Sequence, residues 1–174
     1  MTAYSIENTT NTDMNFIYYL FESAIAYQQR KKTPVWKSYD KQVIQQDIDL
    51  KKQYKIVIDQ QIACIFSICQ DDLLDRLIWR EKDKRDAVYL HRIVVNPNFK
   101  GQKHFQKIFN WAIAYAQSKG LSHIRMDTWA NNPEIIAYYQ SFGFIFLENF
   151  KLSDSPNIPI QNRNLDLALL EFKL

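Results

Sequence analysis

AVYLHRIVVNPNFKGQKHF, residues 87–105, decides how the rest of the chain is read. Its first nine residues, Ala87–Val95, are dominated by β-branched and aromatic side chains and predict the strongest strand of the sequence. Asn96-Pro97-Asn98 is a turn. From about Gln102 to Lys119 the apolar residues Phe105, Ile108, Phe109, Ala112 and Ala116 recur at helical spacing, and Gly120 stands where a helix ends. A strand therefore feeds a glycine-containing turn that opens a long helix. The exposed N–H groups and the dipole of such a helix start favour an anion. Lys100, Lys103, His104 and Lys107 cluster there without an acidic residue among them. Cations at that end are unfavourable unless something negative joins them; the plainer alternative is a solvated basic surface.

Downstream, His123–Trp129 reads as a strand, and Asn131-Asn132-Pro133 opens a further helix that Gly143 closes. Phe144–Leu152 and Leu165–Leu174 are two more strands, separated by a proline-interrupted loop over 153–164. Upstream, the charged segment 71–86 predicts a loop with a short helical or extended piece. Tyr54–Ile58 and Ile62–Cys69 form a hairpin across Asp59-Gln60-Gln61. A polar helix covers 39–52, with Asp47 interrupting its apolar side. Another, capped by Asp13, runs to about residue 31 with the stripe Phe16, Tyr19, Leu20, Ser23, Ala24 and Tyr27, and Pro34 ends it. Residues 3–8 make a first strand. The order β-α-α-β-β-β-α-β-α-β-β implies an α/β fold with a mixed sheet and helices on its faces, in one domain over residues 1–174.

Composition agrees. The chain has 174 residues, 47% of them hydrophobic and 24% charged, which excludes a disordered or fibrous protein. Twenty-two basic against 19 acidic residues leave a net charge of +3, too small and too interspersed to make nucleic acid the default partner. Cys64 and Cys69 suit neither a disulfide framework nor a zinc site and are expected as core residues in a reducing compartment. The apolar run Phe16–Ala26 contains Glu22, follows Asp13 rather than a basic segment, and is too short to span a bilayer. It is expected as a core helix of a soluble, cytoplasmic protein with no membrane partner. Only three glycines occur, Gly101, Gly120 and Gly143, all in the second half.

The second informative stretch is Asn132-Pro133-Glu134-Ile135-Ile136-Ala137-Tyr138-Tyr139-Gln140-Ser141-Phe142-Gly143-Phe144. Asn132 can cap the helix. Tyr138 and Tyr139 point about a hundred degrees apart, so that one packs while the other presents its hydroxyl; two core tyrosines are the bland alternative.

Taken together, Tyr89–Phe144 resembles the GNAT superfamily of N-acetyltransferases. The family pattern is a strand ending in apolar-Val, an Arg-Gly-x-Gly-x-Gly/Ala turn, a long helix, a strand, and an Asn-x-x-Ala-x-x-x-Tyr-x-x-x-Gly-Phe helix. Here it is met by Ile93-Val94-Val95, by Lys100-Gly101-Gln102-Lys103-His104-Phe105, and by Asn132, Tyr139, Gly143 and Phe144, with Ile135 where Ala is usual. The resemblance implies a GNAT-type, mostly antiparallel central sheet of six to seven strands flanked by about four helices, with acetyl-CoA as cosubstrate. It implies that Lys100, Gly101, Gln102, Lys103, His104 and Phe105 grip the pyrophosphate through backbone N–H groups. Ile93, Val94 and Val95 would hydrogen-bond the pantetheine arm where the strand splays from its neighbour, and Asn132 would contact that arm. Tyr139 would protonate the departing thiolate. Lys103 and Phe105 stand where the family has glycine, and Lys100 where it has arginine. Side chains there are expected to cost affinity, although Phe105 can turn inward and Lys103 can contact phosphate.

His91 lies in the central strand two residues before Ile93, on the same face by alternation, and titrates in a range useful to a general base. Some related arylalkylamine acetyltransferases carry a histidine there; a structurally bonded strand histidine is the alternative. His104 is explained by phosphate proximity and His123 as ordinary surface. Trp79, Trp111 and Trp129 are expected in packing, and Trp36 either packs or lines an acceptor site. No metal site is implied. The reading is thus an N-acetyltransferase in which a small-molecule or peptide amine attacks the thioester directly. Its rivals are a catalytically silent CoA-binding sensor or interaction module and, last, a phosphate-binding regulatory domain unrelated to CoA. Acceptor choice would fall to residues 14–50 and 153–164. The last strand could pair across a homodimer.

Overall fold

The computed structural model describes residues 3–32, 34–82, 85–156, 158 and 162–174. Among them the strands are β1 (Ser5–Asn8), β2 (Gln53–Ile58), β3 (Gln61–Cys69), β4 (Ala87–Val95), β5 (His123–Trp129), β6 (Ile145–Lys151) and β7 (Asp166–Lys173). The helices are α1 (Met14–Lys31), α2 (Lys41–Asp49), α3 (Leu73–Trp79), α4 (His104–Ser118) and α5 (Pro133–Gln140). One mixed sheet runs in the order β1-β2-β3-β4-β5-β7-β6. The β4–β5 pair is parallel; β1–β2, β2–β3, β5–β7 and β6–β7 are antiparallel. Residues up to Ile68 together with His91–Lys107 make one compact unit, and Cys69–Leu90 with Ile108–Leu174 make a second; β4 and α4 each run through both.

In the first unit, β2 and β3 join through Asp59 and Gln60, both at positive φ, as a tight two-residue hairpin turn requires. Ile17, Leu20 and Phe21 of α1 pack with Ile44 and Ile48 of α2, Ile65 of β3 and Val94 of β4. The expected α1 stripe is therefore displaced by about one residue around the helix. Phe16, Tyr19 and Tyr27 are exposed, while Ile17 and Phe21, which carry no hydroxyl, are buried. Asp13 precedes α1 without capping it: its carboxylate accepts from the Thr10 N–H and from Lys55 Nζ, at 2.8 Å each. The helix stops at a left-handed Lys32 before Pro34 is reached. Trp36 packs against Phe21, and its N–H donates to Gln28 Oε1. Cys64 and Cys69 are buried and unbridged, and burial pushes the Cys64 thiol up.

The second unit centres on Trp79, Tyr89, Leu152, Leu167 and Leu169. It contains α3, which the charged surroundings of residues 71–86 obscure; Asp72 caps it by accepting from Leu74 N–H at 2.9 Å. The stripe of α4 is buried as expected, but the helix begins at His104 rather than Gln102. Gly101 and Lys103 both have positive φ and cannot belong to it. Strand β7 is paired on both sides, by β5 and by β6, so it offers no edge to a second copy. Residues 157 and 159–161 of the loop expected over 153–164 lie outside the described residues.

Candidate functional site

Within the first unit, the site is built on the end of β4 and the turn into α4. In the second unit, the β4–β5 ladder carries, among the described residues, Ala87–Tyr89 against His123–Arg125, and both strands continue beyond it. Three residues further on, Arg92 has φ +49° inside the strand. Such a residue interrupts the two-residue alternation, so sharing a face does not carry across from His91 to Ile93. His91, Ile93 and Val95 are half-buried, and Val94 is in the core.

Asn96 then organises the turn. It is buried; its N–H donates to Ala63 O at 2.9 Å and its side-chain amide to Ile62 O at 2.7 Å, while its Oδ1 accepts from Asn98 N–H. Phe99 N–H donates to Asn96 O, and Phe99 O in turn meets His104 Nε2 at 2.7 Å. This chain of bonds ties β3 to the first residue of α4. Sequence reasoning treated Asn96 as a turn residue only; an asparagine directly after a strand and before Pro was the available signal.

Lys100, Gly101, Gln102 and Lys103 are exposed, whereas His104 and Phe105 are turned inward. The His104 side chain is thus buried rather than a surface cation. Burial pulls its pKa below the ordinary 6.5; the Phe99 carbonyl opposes that shift and Lys107 adds to it. Neutral, with Nε2 donating to Phe99, it leaves Nδ1 buried without a hydrogen-bond partner. Lys100 Nζ lies 3.3 Å from the Tyr27 ring centroid, and Lys107 Nζ donates to Gln102 O at 2.7 Å. The turn suits a bound anion. Gly101 (φ +78°) has open space where a Cβ would stand, so a ligand can approach the main chain. The first turn of α4 contains no acidic residue, and its leading N–H groups have no acceptor inside the helix. Lys103, at φ +53°, holds the left-handed conformation that glycine would take without strain.

Within the second unit, Asn132 caps α5, its Oδ1 accepting from Ile135 N–H at 3.3 Å; its side-chain nitrogen remains to donate. Tyr139 is half-buried and packs 6.4 Å from Phe144, whereas Tyr138 is 42% exposed and meets Phe142 edge-on. Partial burial raises the Tyr138 phenol above its ordinary value. Gly143 (φ +93°) closes the helix segment, its position fixed against Phe172. The same unit holds a polar cluster that the sequence reading missed. Buried Arg125 donates to Glu171 at 2.7 Å and to the Tyr89 hydroxyl at 3.1 Å. His123, expected as plain surface, has Nδ1 3.1 Å from Asp86. Asp86, His123, Arg125 and Glu171 border a cavity of about 310 Å³. Only the alternation of charge with apolar residues at the start of β5 hinted at them.

Strand β4, the glycine turn that enters α4, and helix α5 followed by Gly143-Phe144 belong to an α/β fold with one mixed sheet. The family model described as Acetyltransferase (GNAT) family matches residues 22–144, and the chain belongs to that family. The fold is similar to that of a GNAT-family acetyltransferase from Listeria monocytogenes 4b F2365, with a TM-score of 0.79 at 20% identity, covering 98% of this chain and 95% of that one. It is also similar to yncA of Salmonella typhimurium, crystallised with its cofactor acetyl-CoA: TM-score 0.66, 17% identity, covering 99% and 94%. In sequence, the chain is 25% identical over 147 residues, 82% of its length, to the uncharacterized N-acetyltransferase MJ1207 of Methanocaldococcus jannaschii. The matches span 41% and 61% of the length of the curated relatives.

Proposed function

We propose that this chain transfers an acetyl group from acetyl-CoA to a primary amine by direct attack of the amine on the thioester. The observation that carries the reading is the combination, in one unit, of β4 interrupted at the left-handed Arg92 with an acid-free helix start whose Gly101 leaves the main chain open. Bound acetyl-CoA supplies the activated acyl group. The main chain of Ile93, Val94 and Val95 hydrogen-bonds its pantetheine arm, as an added strand would be held. Lys100–Phe105 bind the pyrophosphate, with the N–H groups of His104 and Phe105 at the helix start and the Lys103 ammonium as an added charge. The Asn132 side-chain nitrogen donates to the arm. His91, directly or through water, takes the proton of the attacking amine, and the Tyr139 phenol gives one to the leaving thiolate. Holding both reactants together supplies much of the rate.

Lys103 in place of glycine favours a second reading, a silent CoA-binding module. Calorimetric titration with acetyl-CoA, with CoA and ATP as comparisons, followed by an amine screen, separates the two. Micromolar binding with transfer supports the enzyme, and binding without transfer to any amine supports the module. Absence of binding refutes both. In the enzyme, Tyr139→Phe lowers transfer by about 10²–10⁴-fold while CoA binding survives.

A further inference from the structure

Arg92 is an arginine at φ +49° within a strand, where extended residues have φ near −120°. Nothing in its chemistry prefers that conformation, so its surroundings must impose it. Its Nη2 lies 2.5 Å from Asp47 Oδ2, and the same oxygen accepts from the Ser67 hydroxyl at 2.8 Å. Asp47 is only 5% exposed, although it is the residue that breaks the apolar side of α2. It is anchored twice more through its own main chain. It sits within α2, which Asp40 caps, and its carbonyl accepts from Lys52 N–H at 2.7 Å. The carboxylate therefore cannot follow the guanidinium if Arg92 relaxes to an extended conformation. Relaxation would strand a buried charge, which is disfavoured far more than the pair itself is favoured.

We propose that the Asp47–Arg92 ion pair is a positioning device that locks residue 92 left-handed and so turns the Ile93–Val95 main chain into the geometry that receives the acyl donor. Arg92 and Asp47 are positioning residues in this account. The inference rests on the donor-binding reading above.

The test compares two double variants that both lack the ion pair and differ only in backbone preference: Asp47→Asn with Arg92→Ala, and Asp47→Asn with Arg92→Gly. In an ordinary strand glycine is the poorer residue, so rescue by glycine is diagnostic of a left-handed requirement. The alanine pair is expected to weaken acetyl-CoA binding at least tenfold by calorimetry, and the glycine pair to recover at least fivefold of that loss. A purely structural role would impair both alike, and equal Kd values for the two overturn the proposal. Amide exchange over residues 91–95, measured without ligand, gives an independent reading. Protection of Ile93–Val95 is expected to change in the alanine pair and to return to the wild-type pattern in the glycine pair; the same pattern in both double variants overturns the clamp. Should wild type fail to bind acetyl-CoA, the donor reading falls, and the exchange comparison still decides the clamp.

Discussion

Replacing Gly143 with alanine tests how the end of the tyrosine helix is held. At φ +93° a Cβ would stand 3.1 Å from Cε2 and 3.5 Å from Cδ2 of the Phe172 ring. Holding alanine in that conformation costs about 1–2 kcal/mol. The ring cannot swing away freely, because it meets Phe109 edge-on at 4.9 Å and Phe144 at 5.8 Å. Pushing it off its rotamer adds about 0.5–1.5 kcal/mol. The lower entropy of an unfolded chain with alanine offsets about 0.5 kcal/mol of that loss. The net expectation is about 1–3 kcal/mol of destabilisation. Gly101→Ala is the control, because its φ is +78° and a Cβ there meets nothing within 4 Å. It should cost about 1 kcal/mol. Urea unfolding of both variants at unchanged m-value measures the difference. If Gly143→Ala costs no more than Gly101→Ala, the Phe172 contact carries no energy and the packing argument for this end of α5 is wrong.

Other expectations follow from the same kind of accounting. His104 has a folded pKa below its ordinary value of about 6.5, so the unfolded chain takes up the proton first. Stability should therefore fall as pH drops below about 6.5, down to the folded pKa, and His104→Gln should flatten that slope in denaturation curves recorded between about pH 7 and 5. Glu171→Ala removes the 2.7 Å partner of Arg125, whose side chain is 4% exposed, and should cost about 3 kcal/mol in urea unfolding. Lys151→Ala, which breaks a solvent-facing pair at 4.0 Å, should cost less than about 0.5 kcal/mol; equal losses would show that burial does not decide. Lys103→Gly relieves about 1–2 kcal/mol of backbone strain against about 0.5–1 kcal/mol of added unfolded-state entropy. It should leave stability unchanged or raised by up to ~1 kcal/mol, and should reduce the salt dependence of acetyl-CoA binding by calorimetry. A clear loss of stability would mean that the Lys103 side chain makes a stabilising contact.

What could be read from the sequence was local. The stripe of α4, the asparagine cap at Asn132 and the left-handed Gly143 each follow from a few neighbouring residues, and the structure contains them. α1 was legible as a helix but not in its orientation. Phe16 and Tyr19, three apart, recur at helical spacing just as Ile17 and Phe21, four apart, do, and only the packing partners Ile44 and Ile65 choose between the two faces. α3 is seven residues long and lies among charges, yet Asp72 before Leu73-Leu74 was a usable cap signal. The left-handed Arg92 had no signal at all, because arginine has no preference for that conformation. Its explanation lies 45 residues away in Asp47. The Asp86–Arg125–Glu171 cluster is hidden for the same reason, since its members come from three separate segments.

The place of β7 in the sheet sets the timing of folding. β5 and β6 both reach their antiparallel partner only when residues 166–173 have been made. Roughly 40 residues separate the start of β5 from the start of β7, a delay of about 2–8 s at ordinary synthesis rates. Through that interval the edge of β5 that β7 will pair stays open, and the cluster of Trp79 and Tyr89 lacks Leu167 and Leu169 and is still accessible to other chains. The second unit therefore closes in a single late step. Nascent chains arrested before β7 should accumulate as aggregation-prone species, while the first unit, whose own strands are already made, can assemble ahead of it.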